Sequence, residues 1–137
     1  NVRMGDPETQ VVIPLLDSSL FNLLDSCIRG ELDSSTIKIS KKTSVTVVLA
    51  ADGYPSSYEK GMKISGLENI DEGLVFHAGT DLKDGVFFSS GGRVLNVIGF
   101  GFNLAEAIDS AYAIAKKVNF EGKYFRKDIG QKGLNYK

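Results

Sequence analysis

Residues 93–118, RVLNVIGFGFNLAEAIDSAYAIAKKV, hold a strand, a corner and a helix in a single run. Arg93 to Phe100 is rich in Val, Leu and Ile, the composition of a buried strand. Gly99-Phe100-Gly101 then allows a tight change of direction. From Asn103 the apolar period becomes helical, and Leu104, Ala107, Ile108, Ala111, Ile114, Ala115 and Val118 form one stripe. Asn103 with Glu106 three residues on is a capping pair that starts this helix. A strand leading directly into a helix with one apolar face predicts a layered domain, the helix lying on a sheet.

The flanking sequence supplies the rest of that sheet. Ser44 to Ala51 (SVTVVLAA) is short and β-branched, and Gly73 to Thr80 (GLVFHAGT) reads as a second strand. Leu82 to Phe88 is divided by Lys83-Asp84-Gly85, where Asp-Gly is a strong hairpin signal. Ser89-Ser90-Gly91-Gly92 forms a further turn, and Lys123 to Arg126 a last short strand. Upstream, Leu16, Leu20, Leu23, Leu24, Cys27 and Ile28 recur at helical spacing, which predicts a helix over Pro7–Arg29. Asp6 then serves as its cap, Pro7 as its first residue and Gly30 as its stop, with an interruption at Pro14. Two main helices and about five strands joined by turns predict an α+β fold with a mostly antiparallel sheet.

The 137 residues suffice for one domain with a core of its own. A net charge of -1 provides neither the basic field that nucleic acid requires nor a polybasic stretch for an anionic membrane. No apolar run approaches the roughly 18–20 residues of a spanning helix. One cysteine, Cys27, cannot form an internal disulfide, which fits a reducing, cytoplasmic setting. The chain opens on Asn1 rather than Met, in a stretch that reads like the middle of a site, as if cut from something longer.

That stretch, Asn1 to Glu8 (NVRMGDPE), sets an amide, a guanidinium and two carboxylates before a helix. Amide and carboxylate oxygens suit Mg²⁺ bound with nucleotide phosphates, and an Arg can fork onto phosphate. The plainer reading is that Asp6 and Glu8 cap a helix and favour its dipole. Gly91-Gly92-Arg93 allows the same pair of readings, a phosphate pocket of backbone amides and a guanidinium, or a hairpin turn with an exposed Arg. Gly99-Phe100-Gly101 starts like a dinucleotide fingerprint, but Leu104 stands where the third glycine should, and no βαβ repeat surrounds it. His77, the only histidine, has no second His or Cys for a metal, so a structural or edge-of-site role is expected. Arg126-Lys127-Asp128 is either a solvated charge run or a contact with a phosphate or a neighbouring domain.

Five stretches in order, NVRMGDPETQ, LAADGYP, VFHAGT, SSGGRVLNV and YFRKDIG, resemble phosphoribosylamine–glycine ligases across essentially the whole chain. The resemblance implies that residues 1–30 end an ATP-grasp domain and that 31–137 form the C-terminal domain. It implies an ATP-dependent reaction in which the glycine carboxylate is phosphorylated and the amine of phosphoribosylamine attacks the acyl phosphate. The products are glycinamide ribonucleotide, ADP and phosphate, with Mg²⁺ or Mn²⁺ at the nucleotide.

Carried over by position, Asn1 matches a metal-binding Asn whose partner Glu would stand just upstream. Arg3, Gly5, Asp6, Pro7 and Glu8 match the loop lining the glycine and phosphoribosylamine pocket. Gly91, Gly92 and Arg93 match the place of a ribose-phosphate ligand, so that Arg93→Ala would mainly weaken phosphoribosylamine use. Thr80, Arg126, Lys127 and Asp128 match family words without an assigned role. The resemblance further implies a monomer completed by the missing N-terminal and ATP-grasp domains, and a 137-residue piece that is inactive alone. Two other readings stay open, a non-catalytic ribose-phosphate or protein-binding module and one half of a split ligase.

Overall fold

The structure, a computed structural model, describes residues 3–135. Its elements are α1 (Glu8–Val12), α2 (Leu20–Arg29), β1 (Thr43–Ala51), β2 (Leu74–His77), β3 (Thr80–Lys83), β4 (Val86–Ser89), β5 (Arg93–Gly101), α3 (Leu104–Lys117), β6 (Lys123–Tyr124) and α4 (Gln131–Leu134). Four strands form an antiparallel sheet in the order β2-β5-β1-β6, and β3 and β4 form a separate hairpin. The α+β class expected from the sequence is the one found.

β1 and β5 make the centre, in register from Thr43 opposite Gly101 to Leu49 opposite Leu95. Alternation turns Val45, Val47 and Leu49 of β1, with Leu95 and Val97 of β5, to one face. There they meet Ala107, Ile108, Ala111, Ile114 and Ala115 of α3 in a continuous apolar core. The capping pair forms as predicted: the Glu106 amide donates to Asn103 Oδ1 at 3.0 Å, and the Phe102 amide donates to Glu106 Oε2 at 2.7 Å. At the far end Lys123 Nζ donates to the carbonyls of Ala115 and Val118, closing the last turn of α3.

The sheet's other face carries Thr46 and Val48, with Ile98 and Asn96 across the register. The N-terminal segment lies over β1 and β5, tied by the Ser44 hydroxyl to the Val11 carbonyl at 2.6 Å. The expected interruption at Pro14 divides this segment into separate elements. Pro14 enters a 3₁₀ turn at Ile13–Leu15, and Ser19 starts α2 anew by accepting the Asn22 amide. Gly30 ends α2 in the left-handed conformation, as expected. Asp6 does not cap: Pro7 precedes α1 without any side-chain cap, and the Asp6 carboxylate is bonded elsewhere.

The predicted strand at 73–80 is two strands, because Ala78 and Gly79 turn the chain from β2 to β3. Asp84 and Gly85, both at positive φ, close the β3–β4 hairpin at the predicted Asp-Gly site. The last strand is shorter than predicted, Lys123–Tyr124.

His77 ends β2 with Nδ1 2.9 Å from the Thr80 hydroxyl and its ring 4.3 Å from that of Phe87. Loss of water against these neighbours holds its pKa below the ordinary 6.5. The unfolded chain therefore takes up the proton first, and the contribution, complete above 6.5, is lost as pH falls through the folded value. Thermal melts are expected to shift down between about pH 7.5 and about pH 5.5, and His77→Gln to flatten the shift. A slope unaltered by the substitution would assign the effect to other groups.

Candidate functional site

The site lies where the N-terminal segment crosses the ends of β1 and β5. The register between these strands shifts at Leu49 and Ala50, which places Arg93 opposite Ala50. From there its guanidinium reaches back 87 residues to Asp6. Nη2 stands 3.0 Å from Asp6 Oδ2, and Nη1 donates to the Asp6 carbonyl at 3.1 Å. The second carboxylate oxygen, Asp6 Oδ1, accepts Gln10 Nε2 at 3.0 Å. Both partners of the pair are about two-fifths exposed, so solvent screening limits its worth to roughly 0–1 kcal/mol of stability. Its geometry fixes an orientation more than it stabilises the fold.

Gly91 and Gly92 hold this corner through packing. Gly91 lies Cα to Cα against Gly79, whose carbonyl accepts the amides of Ser90 and Gly91. A Cβ on Gly92 would stand 2.8 Å from Cε2 of the Tyr54 ring. The two glycines thus have close neighbours that a side chain would displace, and because β4 and β5 do not pair with each other the corner is not the hairpin turn weighed from the sequence.

Beside the Asp6–Arg93 pair opens a cleft of about 370 Å³, within the range of small-ligand sites. Pro7, Tyr54, Arg93, Tyr124, Phe125 and Arg126 line it, with Thr46 among the β1 residues. Arg126 is forked onto Asp128, Nε to Oδ1 at 3.0 Å and Nη2 to Oδ2 at 2.7 Å. That hydrogen bonding raises the guanidinium's pKa and holds the Asp128 carboxyl below its usual range. The hydroxyl of Thr46 and the amide oxygen of Asn96, on the same sheet face, are buried without a hydrogen-bond partner among the described residues.

The structure therefore gathers Pro7, Arg93 and Arg126 around one cleft, with Asp6 bonded to Arg93 and Asp128 to Arg126. Arg3 and Gly5 on the adjoining loop and Glu8 at the start of α1 sit outside the lining, and Lys127 is exposed beside Arg126. Thr80 is elsewhere, bonded to His77. Asn1, the expected metal ligand, lies outside the described residues. Among the described residues no three His, Cys, Asp or Glu side chains stand together as a metal site. Sequence reasoning missed Tyr54, Tyr124, Phe125 and Thr46. The signal for three of them lay in the resembling stretches LAADGYP and YFRKDIG, which contain Tyr54, Tyr124 and Phe125 without stating where those rings lie.

Sheet, helix and cleft together define an α+β domain with a cation-bearing cleft on the side its helix leaves open. The chain belongs to the family described as "Phosphoribosylglycinamide synthetase, C domain", whose model matches residues 44–132. It is 47% identical over 98% of its length to a phosphoribosylamine–glycine ligase of Neisseria meningitidis, of which it covers 32%. It is likewise 47% identical over 99% of its length to a bifunctional purine biosynthetic protein of Dictyostelium discoideum, covering 17% of that protein. The crystal structure of the phosphoribosylamine–glycine ligase from Thermotoga maritima superposes with a TM-score of 0.82 at 43% identity. That match covers 94% of this chain and 32% of the other. The chain thus spans about a third of the length of the single-function ligases it matches. No described helix is long and apolar enough to cross a membrane.

Proposed function

We propose that this chain is the C-terminal part of an ATP-dependent ligase that joins glycine to phosphoribosylamine, giving glycinamide ribonucleotide, ADP and phosphate. The observation that carries the reading is the pairing of Asp6 with Arg93. It holds the loop containing Arg3, Gly5, Asp6, Pro7 and Glu8 against the Gly91-Gly92-Arg93 corner, beside an open cleft. Longer relatives, 43% and 47% identical to this chain over the matched part, are named phosphoribosylamine–glycine ligase.

In this reading residues 1–30 close an ATP-grasp domain and 31–137 form the C-terminal domain. The exposed apolar side chains of α2 support that division, since they need a partner that 31–137 do not supply. Loop and cleft form one wall of the substrate site, and the remaining wall, with the ATP-binding residues, belongs to the rest of the polypeptide. A carboxylate is a poor electrophile, so the work of such a site is to position glycine and steady the charge of the transferred phosphoryl group. Mg²⁺ or Mn²⁺ bound with ATP would neutralise part of that charge, with Asn1 among its ligands. The protein would act as a monomer in the cytoplasm.

The test is product formation. The full-length protein is expected to form glycinamide ribonucleotide and ADP only when ATP, glycine and phosphoribosylamine are all supplied, and the 137-residue chain alone to form none. Turnover by the isolated chain, or a full-length protein indifferent to glycine, would overturn the reading.

A further inference from the structure

We infer that Arg93 is a positioning residue, which holds the Asp6 loop in its working geometry and acts on the reaction through that loop rather than on a substrate phosphate. The inference rests on the ligase reading above and assigns Arg93 a role within it.

Of the five N–H donors of the Arg93 guanidinium, one on each terminal nitrogen is directed at Asp6. Nη2 lies 3.0 Å from the Asp6 carboxylate and Nη1 donates to the Asp6 carbonyl at 3.1 Å. One side chain therefore fixes main chain and side chain of the same residue, which sets the loop's direction as well as its distance. Within the loop the turn is already closed. The Gly5 carbonyl accepts the Thr9 amide at 2.9 Å and the Thr9 hydroxyl at 2.6 Å, and Asp6 Oδ1 accepts Gln10 at 3.0 Å. The loop is thus a preformed unit, and Arg93 joins it to the end of the sheet by charge and hydrogen bond.

Arg93 is itself held from behind. Gly91 lies against Gly79, Gly92 lies against the Tyr54 ring, and the register shift opposite Ala50 sets where the side chain leaves the strand. A rigid anchor gripping a loop that carries substrate-facing groups is the arrangement in which a small displacement costs turnover. A lysine cannot reproduce it, because one ammonium is a point charge without the fork.

The experiment uses the full-length protein and compares Arg93→Ala and Arg93→Lys with wild type in steady-state kinetics. Arg93→Ala is expected to lower kcat by about 10²-fold, while KM for phosphoribosylamine changes by less than about threefold. Arg93→Lys is expected to recover only part of kcat, and both variants to melt within about 2 °C of wild type, as an exposed pair predicts. A KM for phosphoribosylamine raised more than about tenfold at unchanged kcat would make Arg93 a direct substrate ligand and overturn the inference. So would full rescue by lysine, or a collapse in melting temperature that reveals a merely structural role. If wild type shows no ligase turnover, the ligase reading fails, and the clamp is judged by tryptic cleavage after Arg3. Faster cleavage in Arg93→Ala supports the clamp, and an unchanged rate removes it.

Discussion

Gly99→Val is expected to destabilise the domain by about 3 kcal/mol, the upper end for overpacking a core. The cause is the closeness of α3 to β5. Gly99 faces the helix with Val45 opposite it in the register, and the small residues Ala107 and Ala111 let the two backbones approach. A Cβ at Gly99 would lie 2.7 Å from the Ala107 carbonyl oxygen and 2.7 Å from Ala111 Cα, and closer still to the Ala111 amide nitrogen. These are backbone atoms of a helix packed along its length, and no rotamer change moves them. The strand must slide or the helix must lift, and lifting opens the contacts of Ile108, Ile114 and Ala115 as well. For a domain of this size the loss corresponds to a fall in Tm of roughly 10 °C. Gly30→Ala is the matched control. It adds a methyl at φ 69° with nothing within 4 Å, and its expected cost is only the roughly 1–2 kcal/mol of a left-handed alanine. If Gly99→Val melted no lower than Gly30→Ala, the close approach of α3 to β5 would be wrong.

The same residue shows what the sequence can and cannot tell. Gly99-Phe100-Gly101 reads as a corner because glycines between a strand and a helix permit one. That Gly99 lies beneath Ala107 and Ala111 is a fact of packing, which no local pattern contains. The Asn103–Glu106 cap, the Asp84-Gly85 hairpin and the Gly30 stop were legible for the opposite reason, since each is complete within a few residues. The helix predicted over Pro7–Arg29 breaks at its expected interruption, where two local rules compete. Its apolar period runs through Pro14, but a proline removes a helical hydrogen bond, and the chain restarts at Ser19.

The site divides in the same way. Asp6 was legible as a residue of chemical interest and was misplaced as a cap, because its actual partner, Arg93, is 87 positions away. Gly91 and Gly92 were legible as a change of direction, and the place of Tyr54, which explains the second of them, was not. Motif resemblance identified the segments that meet at the cleft. Only the fold shows that Arg93 meets Asp6 and that Arg126 and Thr46 share the same opening.

Replacing Phe21 and Ile28 together by Asp is expected to have opposite effects in two contexts. Both residues are among the most exposed apolar side chains of the described structure, at 76% and 86%, and with Leu24 they follow helical spacing along one face of α2. A face like this, on a helix that buries none of its residues, is a contact surface. In the ligase reading α2 closes the ATP-grasp domain, and the occupant of this face is the rest of that domain. Burying two such side chains is worth about 3–6 kcal/mol, so the double substitution should loosen α2 from that domain in the full-length protein. The expected signs are an earlier first unfolding transition and faster proteolysis of the segment between α2 and β1. In the isolated 137-residue chain the same face is open to water and should drive association. There the double substitution should abolish concentration-dependent self-association in sedimentation while leaving the melting of the β1–β5–α3 core unchanged, because neither residue touches that core. Destabilisation of the isolated chain would mean that α2 is held by residues 31–137 after all. An unaltered full-length protein would mean that the face is not the domain contact, and residues 1–30 would then belong with the C-terminal domain instead of the one before it.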